Sequence, residues 1–493
     1  MLPNVMPVVM SRSRDPDFMR SAISTGAYSY LIKPVSLQAM HGLWLAVESV
    51  SMSLHSHNHH HHHHHSCCRF SPPHTFPAFL YPPTCFPTRK TLPTANPRCM
   101  LFEHDFLSRF VPSMLSFDEH KVSSLEPLSA DELGELRQAL LQWSFNPYRF
   151  TESQLIHCAI IMLEEAVALA GLPVRASLIQ SLILSLHAAY YDNAYHNFYH
   201  AIDVTQCTYY LLQTLGIFNP RRRSSITAHH EQRRFAAQRI LKPIDVLALI
   251  VASLTHDAGH PGLNNVFMVK AKTQLATLYN DQSVLENFHA ACFSMLMQRF
   301  SSQFREDRPD FDYDQVRKIA VQSILATDMA RHFEFIEKCR AQHKRLQSGK
   351  CFPLTPQQEE MERLQVCTTI IKCADISNIV RSFHIAQSWT RRLEEELSKQ
   401  AELECCLGMT PSMRVDGSKT ASTQVVFYTK FGMPLFSAIS TLLPELDFME
   451  KQLRSNIAAW RAIDRQTFGA AGPGRSKRRQ SVHVSPTDHL HFE

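Results

Sequence analysis

The chain has 493 residues, 44% hydrophobic and 19% charged, with only 14 glycines, which excludes a disordered polyelectrolyte and a collagen-like repeat. Fifty Lys and Arg against 45 Asp and Glu leave a formal charge of +5, too mild an excess to point to nucleic acid as a partner. Thirteen cysteines without a CxxC pair fit neither a zinc ribbon nor a disulfide framework, so the chain reads as intracellular, and the 28 histidines are the outlying count.

In chain order, residues 1–40 come first. Met6–Met10 is an apolar, strand-like run, Asp15–Thr25 can form a helix, and Gly26–Val35 is a second strand ending in Lys33-Pro34. This resembles the C-terminal part of a response-regulator receiver domain, in which the lysine before a proline contacts a phosphorylated aspartate. The resemblance implies less than half of a doubly wound domain, with that aspartate expected before Met1, so a remnant that accepts no phosphate is the expectation. Residues 41–124 hold the run His59–His65, flanked by His55 and His57, and then prolines from Pro72 to Pro97 that cannot build a packed core. The histidine run is either a linker or a metal binder without fixed geometry.

From Ser129 the texture becomes helical, and residues 125–465 read as one large all-α domain. Apolar residues recur at helical spacing in Ile156, Ala159, Ile160 and Leu163, and again in Ile179, Leu182, Ile183 and Leu186. Further helices are expected over 201–215, 243–254, 284–300, 315–326, 357–373, 383–405 and 434–459. The longest apolar run, Ile244–Leu254, carries Asp245 and falls short of the roughly 18 residues that span a bilayer, so a buried helix is expected and no membrane partner. A cytoplasmic location follows, with the nucleus as the alternative. Residues 219–241 read as an inserted basic loop and 466–493 as a disordered basic tail. Arg222-Arg-Ser-Ser225 and Arg478-Arg-Gln-Ser-Val482 fit a basophilic kinase pattern, either by chance or as phosphosites, with Ser481 the candidate for cAMP-dependent protein kinase.

Three pieces of the helical domain carry metal chemistry. His196 and His200 are four residues apart, which puts them on one face if the segment is helical. His256-Asp257, directly after the apolar helix, supplies an imidazole and a hard carboxylate at one point, a pairing suited to zinc or to zinc with magnesium; Pro261-Gly262 opens the chain nearby. Asp375 follows Ile370, Ile371 and Ala374 on a helix beginning near Leu364, where it is either capped, salt-bridged or compensated by a metal. His200, His256, Asp257 and Asp375 together form the two-histidine, two-aspartate mix of hydrolytic metal sites.

Tyr-His-Asn-x-x-His (195–200), His-Asp-x-x-His-Pro-Gly-x-Asn-Asn (256–265), Leu-Ala-x-x-Tyr-Asn-Asp-x-Ser-Val-Leu-Glu (275–286) and Ala-Asp-Ile-Ser-Asn (374–378) occur in this order. Together they resemble the class I cyclic nucleotide phosphodiesterases, over roughly residues 125–465. The resemblance implies that His200, His256, Asp257 and Asp375 hold zinc, and that Asp257 bridges to a second ion, magnesium or alternatively manganese. His260, Glu286, Thr327 and Asn265 would surround the metal-bound water. His196 would be the general acid that protonates the leaving 3′ oxygen, with Glu286 as the carboxylate favouring its protonated form. Gln424, Phe427 and Leu393 would hold the base, and Asn378 would favour adenine, making cAMP the expected substrate and cGMP the alternative. Gly259 and Phe288 depart from the usual aspartate and histidine, with His289 kept. Gly259 is shared with fungal-type high-affinity cAMP phosphodiesterases, some of which begin with receiver-like sequence. The rival readings are another HD-type metal phosphohydrolase acting on nucleotides and a catalytically silent cyclic-nucleotide-binding scaffold.

Overall fold

The computed structural model describes residues 8–11, 29–32, 125–218, 240–307, 312–347, 354–413 and 415–469. The chain divides into two units, Met1–Cys85 and Phe86–Glu493. In the first, β1 (Val8–Ser11) pairs in parallel with β2 (Ser29–Ile32), Val8 opposite Ser29 and Ser11 opposite Ile32. Parallel strands need a crossover of about a dozen residues or more, and residues 12–28 supply the length. The expected helix Asp15–Thr25, the histidine run, the loop at 219–239 and both kinase patterns lie outside the described residues.

The second unit is helical: α1 (Ala130–Leu140), α2 (Glu152–Leu169), α3 (Ala176–Ala189), α4 (Phe198–Thr214), α5 (Pro243–Thr255), α6 (Asn265–Lys270), α7 (Gln274–Leu278), α8 (Val284–Asp307), α9 (Tyr313–Leu325), α10 (His332–Gln347), α11 (Pro356–Asp375), α12 (Phe383–Cys406), α13 (Thr420–Phe427), α14 (Met433–Leu442) and α15 (Asp447–Gly469). Its centre is α5, where every residue from Asp245 to Thr255 is buried, packed on α2, α4, α8, α9 and α11. Val246, Leu247, Leu249, Ile250, Val251 and Leu254 are all buried, at roughly 1.5–3 kcal/mol of stabilisation each as an upper bound. That gain exceeds the cost of burying Asp245, whose charge is met by Arg363 through two hydrogen bonds of 2.7 and 2.8 Å.

The Asp245–Arg363 pair also sets the register of α5 against α11. Twelve residues beyond Asp245 stands Asp257, and twelve beyond Arg363 stands Asp375. At 1.5 Å per residue both paths cover about 18 Å, so joining the helices at the pair brings the two aspartates to the same level. Beyond Asp375, Arg381 is buried, donates to Asp203 Oδ1 at 3.0 Å and Gln206 Oε1 at 2.7 Å, and lies 4.3 Å from the Trp143 ring centroid. The segment after Asp375 is thereby fastened to α4, the helix of His200.

Several expectations are corrected. The run 434–459 is two helices, because Pro444 cannot donate to a continuing ladder and the chain turns at Pro444–Leu446. Helix α11 starts at Pro356, with Thr355 as its cap, as the expected run 357–373 has it and ahead of the start near Leu364 read from the apolar residues before Asp375. Helices α1, α6, α7, α10 and α13 were not expected: α6, α7 and α13 are too short to show a period, and α1 and α10 are rich in polar residues. Ile244–Leu254 lies in a short buried helix as expected, but among the described residues one helical stretch, Gly417–Leu442, is long and apolar enough to cross a membrane by length and composition. Its Leu435, Phe436, Ile439 and Leu442 are instead buried in the core.

Candidate active site

Three helix ends deliver the metal donors. Asn197 caps α4 by accepting the His200 N–H at 3.1 Å, so His200 sits in the first turn and His196 lies before the helix. The two histidines therefore do not share a helical face; the chain bends at Asn197 and leaves their rings perpendicular, centroids 5.7 Å apart. His256 and Asp257 follow the end of α5, and Asp375 is the last residue of α11.

His200, His256, Asp257 and Asp375 each offer an atom within 4.8 Å of all the others. His256 Nε2 lies 3.3 Å from His200 Nε2, 3.2 Å from Asp257 Oδ2 and 3.4 Å from Asp375 Oδ1, and His200 Nε2 lies 3.4 Å from both carboxylates. His256 Nδ1 donates to the Ser253 carbonyl at 2.9 Å, which leaves Nε2 as a lone pair in the neutral ring. Four acceptors thus face one another in a buried place. Bonds of 2.0–2.1 Å to a common tetrahedral centre would separate donors by about 3.3–3.4 Å, so the donor set fits one divalent cation. Asp257 Oδ2 is buried with no hydrogen-bond partner, as a cation ligand would be. The site's demand for positive charge is also visible in its titration. Burial opposes a charge on His256, yet Asp257 and Asp375 push its pKa well above the usual imidazole value.

A second feature adjoins Asp257. His289 Nδ1 donates to the Ala258 carbonyl at 2.8 Å, and burial lowers its pKa to about 4, leaving Nε2 as a bare lone pair. That atom is buried, lacks a partner and lies 3.7 Å from Asp257 Oδ1. Acceptors facing each other at this distance fit a hydrated cation or water between them. Phe288, which replaces the usual histidine, is buried in the core, and Gly259 takes φ +79, a left-handed backbone that suits glycine.

His196 finds its carboxylate in Glu396, not in Glu286. Glu396 Oε1 bonds His196 Nδ1, while Oε2 accepts the backbone N–H of Tyr195 at 2.8 Å and of His196 at 3.0 Å. Burial opposes the charge on His196, but Glu396, helped by Asp257 and Asp375, raises it to about 9. Burial raises Glu396, and the His196 charge and bond more than reverse this, to about 2. His260 stacks on His196 with centroids 3.9 Å apart and planes 20° apart. It accepts the Gly262 N–H on Nδ1 at 3.0 Å, and burial with the His196 charge lowers its pKa well below the usual value, so it is the neutral member of the pair.

Glu286 instead takes both of its bonds shown here, 3.1 Å each, from Asn265 Nδ2, while Asn265 Oδ1 accepts the Leu285 N–H. The Thr327 hydroxyl donates to Ile324, and the Thr327 carbonyl accepts from buried Lys372, three residues before Asp375. Asn378 donates to the Tyr195 hydroxyl at 2.8 Å, and Leu393 packs on the Tyr195, Ile385 and Trp389 cluster. Gln424 and Phe427 share the face of α13, and Phe427 stacks on Phe431 at 5.4 Å. A π-helical turn, Tyr428–Gly432, follows them. At Gly432 a Cβ would meet Ile379 Cδ1 at 2.7 Å, so glycine allows the segment to pack beside Asn378.

The family profile for 3′5′-cyclic nucleotide phosphodiesterase matches residues 195–453, over half of the chain. The chain is 30% identical over 331 residues to the 3′,5′-cyclic-nucleotide phosphodiesterase regA of Dictyostelium discoideum, covering 66% of this chain and 38% of that protein. It is 29% identical over 320 residues to the cGMP-specific 3′,5′-cGMP phosphodiesterase 3 of the same organism, covering 64% of this chain and 62% of that one. It therefore spans 38% and 62% of the lengths of these two relatives. The crystal structure of the phosphodiesterase domain of Salpingoeca rosetta rhodopsin phosphodiesterase superimposes with a TM-score of 0.57 at 25% identity, covering 72% of this chain and 97% of that one. The chain belongs to the 3′5′-cyclic nucleotide phosphodiesterase family.

Proposed function

We propose that this chain hydrolyses 3′,5′-cyclic AMP to 5′-AMP and so ends a cAMP signal. The observation that carries the reading is the meeting of four metal donors with a carboxylate-held imidazole, His196, within the residues that the family profile matches. His200, His256, Asp257 and Asp375 would hold zinc, and Asp257 would share a second ion, magnesium or manganese, with a water shell served by His260, Asn265, Glu286 and Thr327. Divalent ions held by these residues would neutralise the phosphodiester and make water a nucleophile at neutral pH.

The chain's own residues do the rest. His196 keeps Nδ1 on Glu396, so the proton it delivers is the one on Nε2. As the P–O3′ bond breaks, that proton goes to the departing 3′ oxygen while water adds to phosphorus and releases a proton to solvent, from which His196 is reprotonated, leaving a 3′-hydroxyl and a 5′-monophosphate. A positioned acid of this kind is typically worth about 100- to 10,000-fold. The base would lie between Phe427 and Leu393, with Gln424 on its edge. Asn378 Nδ2 gives one of its two hydrogens to the Tyr195 hydroxyl, and Oδ1 remains an acceptor. Adenine offers an exocyclic amine to such an oxygen where guanine offers a carbonyl, and this favours cAMP over cGMP.

The parallel pairing of β1 with β2 supports reading residues 1–40 as receiver-like, in the manner of fungal-type enzymes. Phosphorylation of Ser481 by a basophilic kinase rests on the sequence pattern alone; kinase treatment that leaves Ser481 unmodified in a mass spectrum would sink it. The test of the main reading is an assay of cAMP and cGMP with metal-loaded protein beside His196→Ala and Asp375→Ala. The expected result is faster turnover of cAMP and collapse in both variants, and unchanged rates in both would overturn it.

A further inference from the structure

The His196 loop and the loop that follows the metal pair are joined by one side chain, Asn193. Its Nδ2 donates to the His196 carbonyl and to the His260 carbonyl, both at 2.8 Å. Its own carbonyl accepts from Asn197 Nδ2 at 2.8 Å, and Asn197 in turn caps the helix of His200. Asn193 is buried, and its primary amide offers two hydrogens from one nitrogen without a charge, one to each of the two backbone acceptors.

The opposite wall of this clasp is Gly262. A Cβ there would sit 2.9 Å from Asn193 Oδ1, and the residue takes φ +73, so a side chain at 262 is excluded twice. The Gly262 N–H meanwhile fixes His260 through Nδ1. Glu396, from α12, holds the charge and the ring of His196; nothing in that contact ties His196 to the loop carrying His256 and Asp257.

We propose that Asn193 is a positioning residue, whose amide sets where the acid His196 stands relative to the metal donors by clasping the backbones of His196 and His260. This rests on the reading that His196 protonates the leaving oxygen. It predicts a defect confined to the step that needs the proton.

The test compares cAMP with its 3′-thio analogue, in which P–S cleavage releases a thiolate, a group of pKa about 8.5 that departs without a proton. In the full-length protein loaded with zinc and magnesium, Asn193→Ala should lower kcat for cAMP about 10- to 100-fold, the scale of a misplaced catalytic group. KM, bound zinc per chain and kcat for the thio analogue should stay close to wild type. Gly262→Ala displaces the amide from the other loop without removing it, and should give the same split. The double variant should fall no further than the weaker single variant. Wild-type kcat for cAMP in Asn193→Ala, equal losses on both substrates, or loss of zinc would overturn the proposal. So would failure of both single variants to show a cooperative melt, which would assign Asn193 to folding. No turnover of cAMP by the wild type would overturn the functional reading and this inference together, whereas the other outcomes strike this inference alone.

Discussion

The imidazoles of His196 and His256 are satisfied in opposite ways. His196 has Glu396 on Nδ1, and the other Glu396 oxygen is taken by two backbone N–H groups, so imidazole and carboxylate form a finished network. His256 has a finished bond on one side only. Its Nε2 faces another imidazole nitrogen and two carboxylates at 3.2–3.4 Å, and one of those oxygens has no partner. An arrangement of facing acceptors is repulsive until a cation joins it. The comparison teaches that the His196 imidazole is preorganised by the fold, while the cluster of metal donors is left incomplete by it.

Variants that separate the two sides should therefore differ in what they lose. The largest effect is expected from Asp375→Ala, which removes one of four donors: turnover should fall by more than about 1,000-fold, as metal activation is worth several kcal/mol, and bound zinc should drop in elemental analysis. His196→Ala should cost about 100- to 1,000-fold with zinc retained, because no metal donor is touched. Loss of zinc in His196→Ala would break the division between the two clusters.

Glu396→Gln should cost less, about tenfold near neutral pH, where general-acid catalysis is weakened but not removed. Its signature is the pH profile. The acid works only when protonated, so activity is present below its folded pKa of about 9 and is lost as pH rises through that value. A neutral amide lowers that pKa, and the alkaline limb of the rate profile should move to lower pH. An unmoved limb would separate Glu396 from the acid. The smallest effect on turnover is expected from Asp245→Asn, remote from the site. It leaves Arg363 buried against a neutral partner, destabilising the fold by about 3–5 kcal/mol, read by denaturant melts, while each chain that retains zinc turns over at the wild-type rate.

Much of the metal side was legible in sequence because its chemistry is local. His256-Asp257 follows an apolar run, which placed it at a helix end, and Asp375 follows apolar residues that placed it on a helix, whose last residue it proves to be. The acid's partner was not legible in the same way. Glu396 lies 200 residues from His196, among Glu394, Glu395, Glu402 and Glu404, where an acid reads as solvated surface. A signal was nonetheless present. Ile385, Trp389, Leu393, Glu396 and Gln400 follow one another at steps of four, four, three and four, so Glu396 falls on the inward stripe of α12, and a carboxylate there needs a partner. Asn193 escaped notice for a different reason, since its role depends on two carbonyls brought together by the fold. The break at Pro444 could have been read directly, because proline lacks the N–H that a continuing helix requires.

The central claim is that water adds to phosphorus as the P–O3′ bond breaks, the bond whose departing oxygen His196 would protonate. Its most direct test is mass spectrometry of the product formed from cAMP by the full-length, metal-loaded chain in water enriched in oxygen-18. The account predicts 5′-AMP with one heavy oxygen in its phosphate and an unlabelled 3′-hydroxyl. Formation of 3′-AMP, label in the ribose, or no product at all would contradict it.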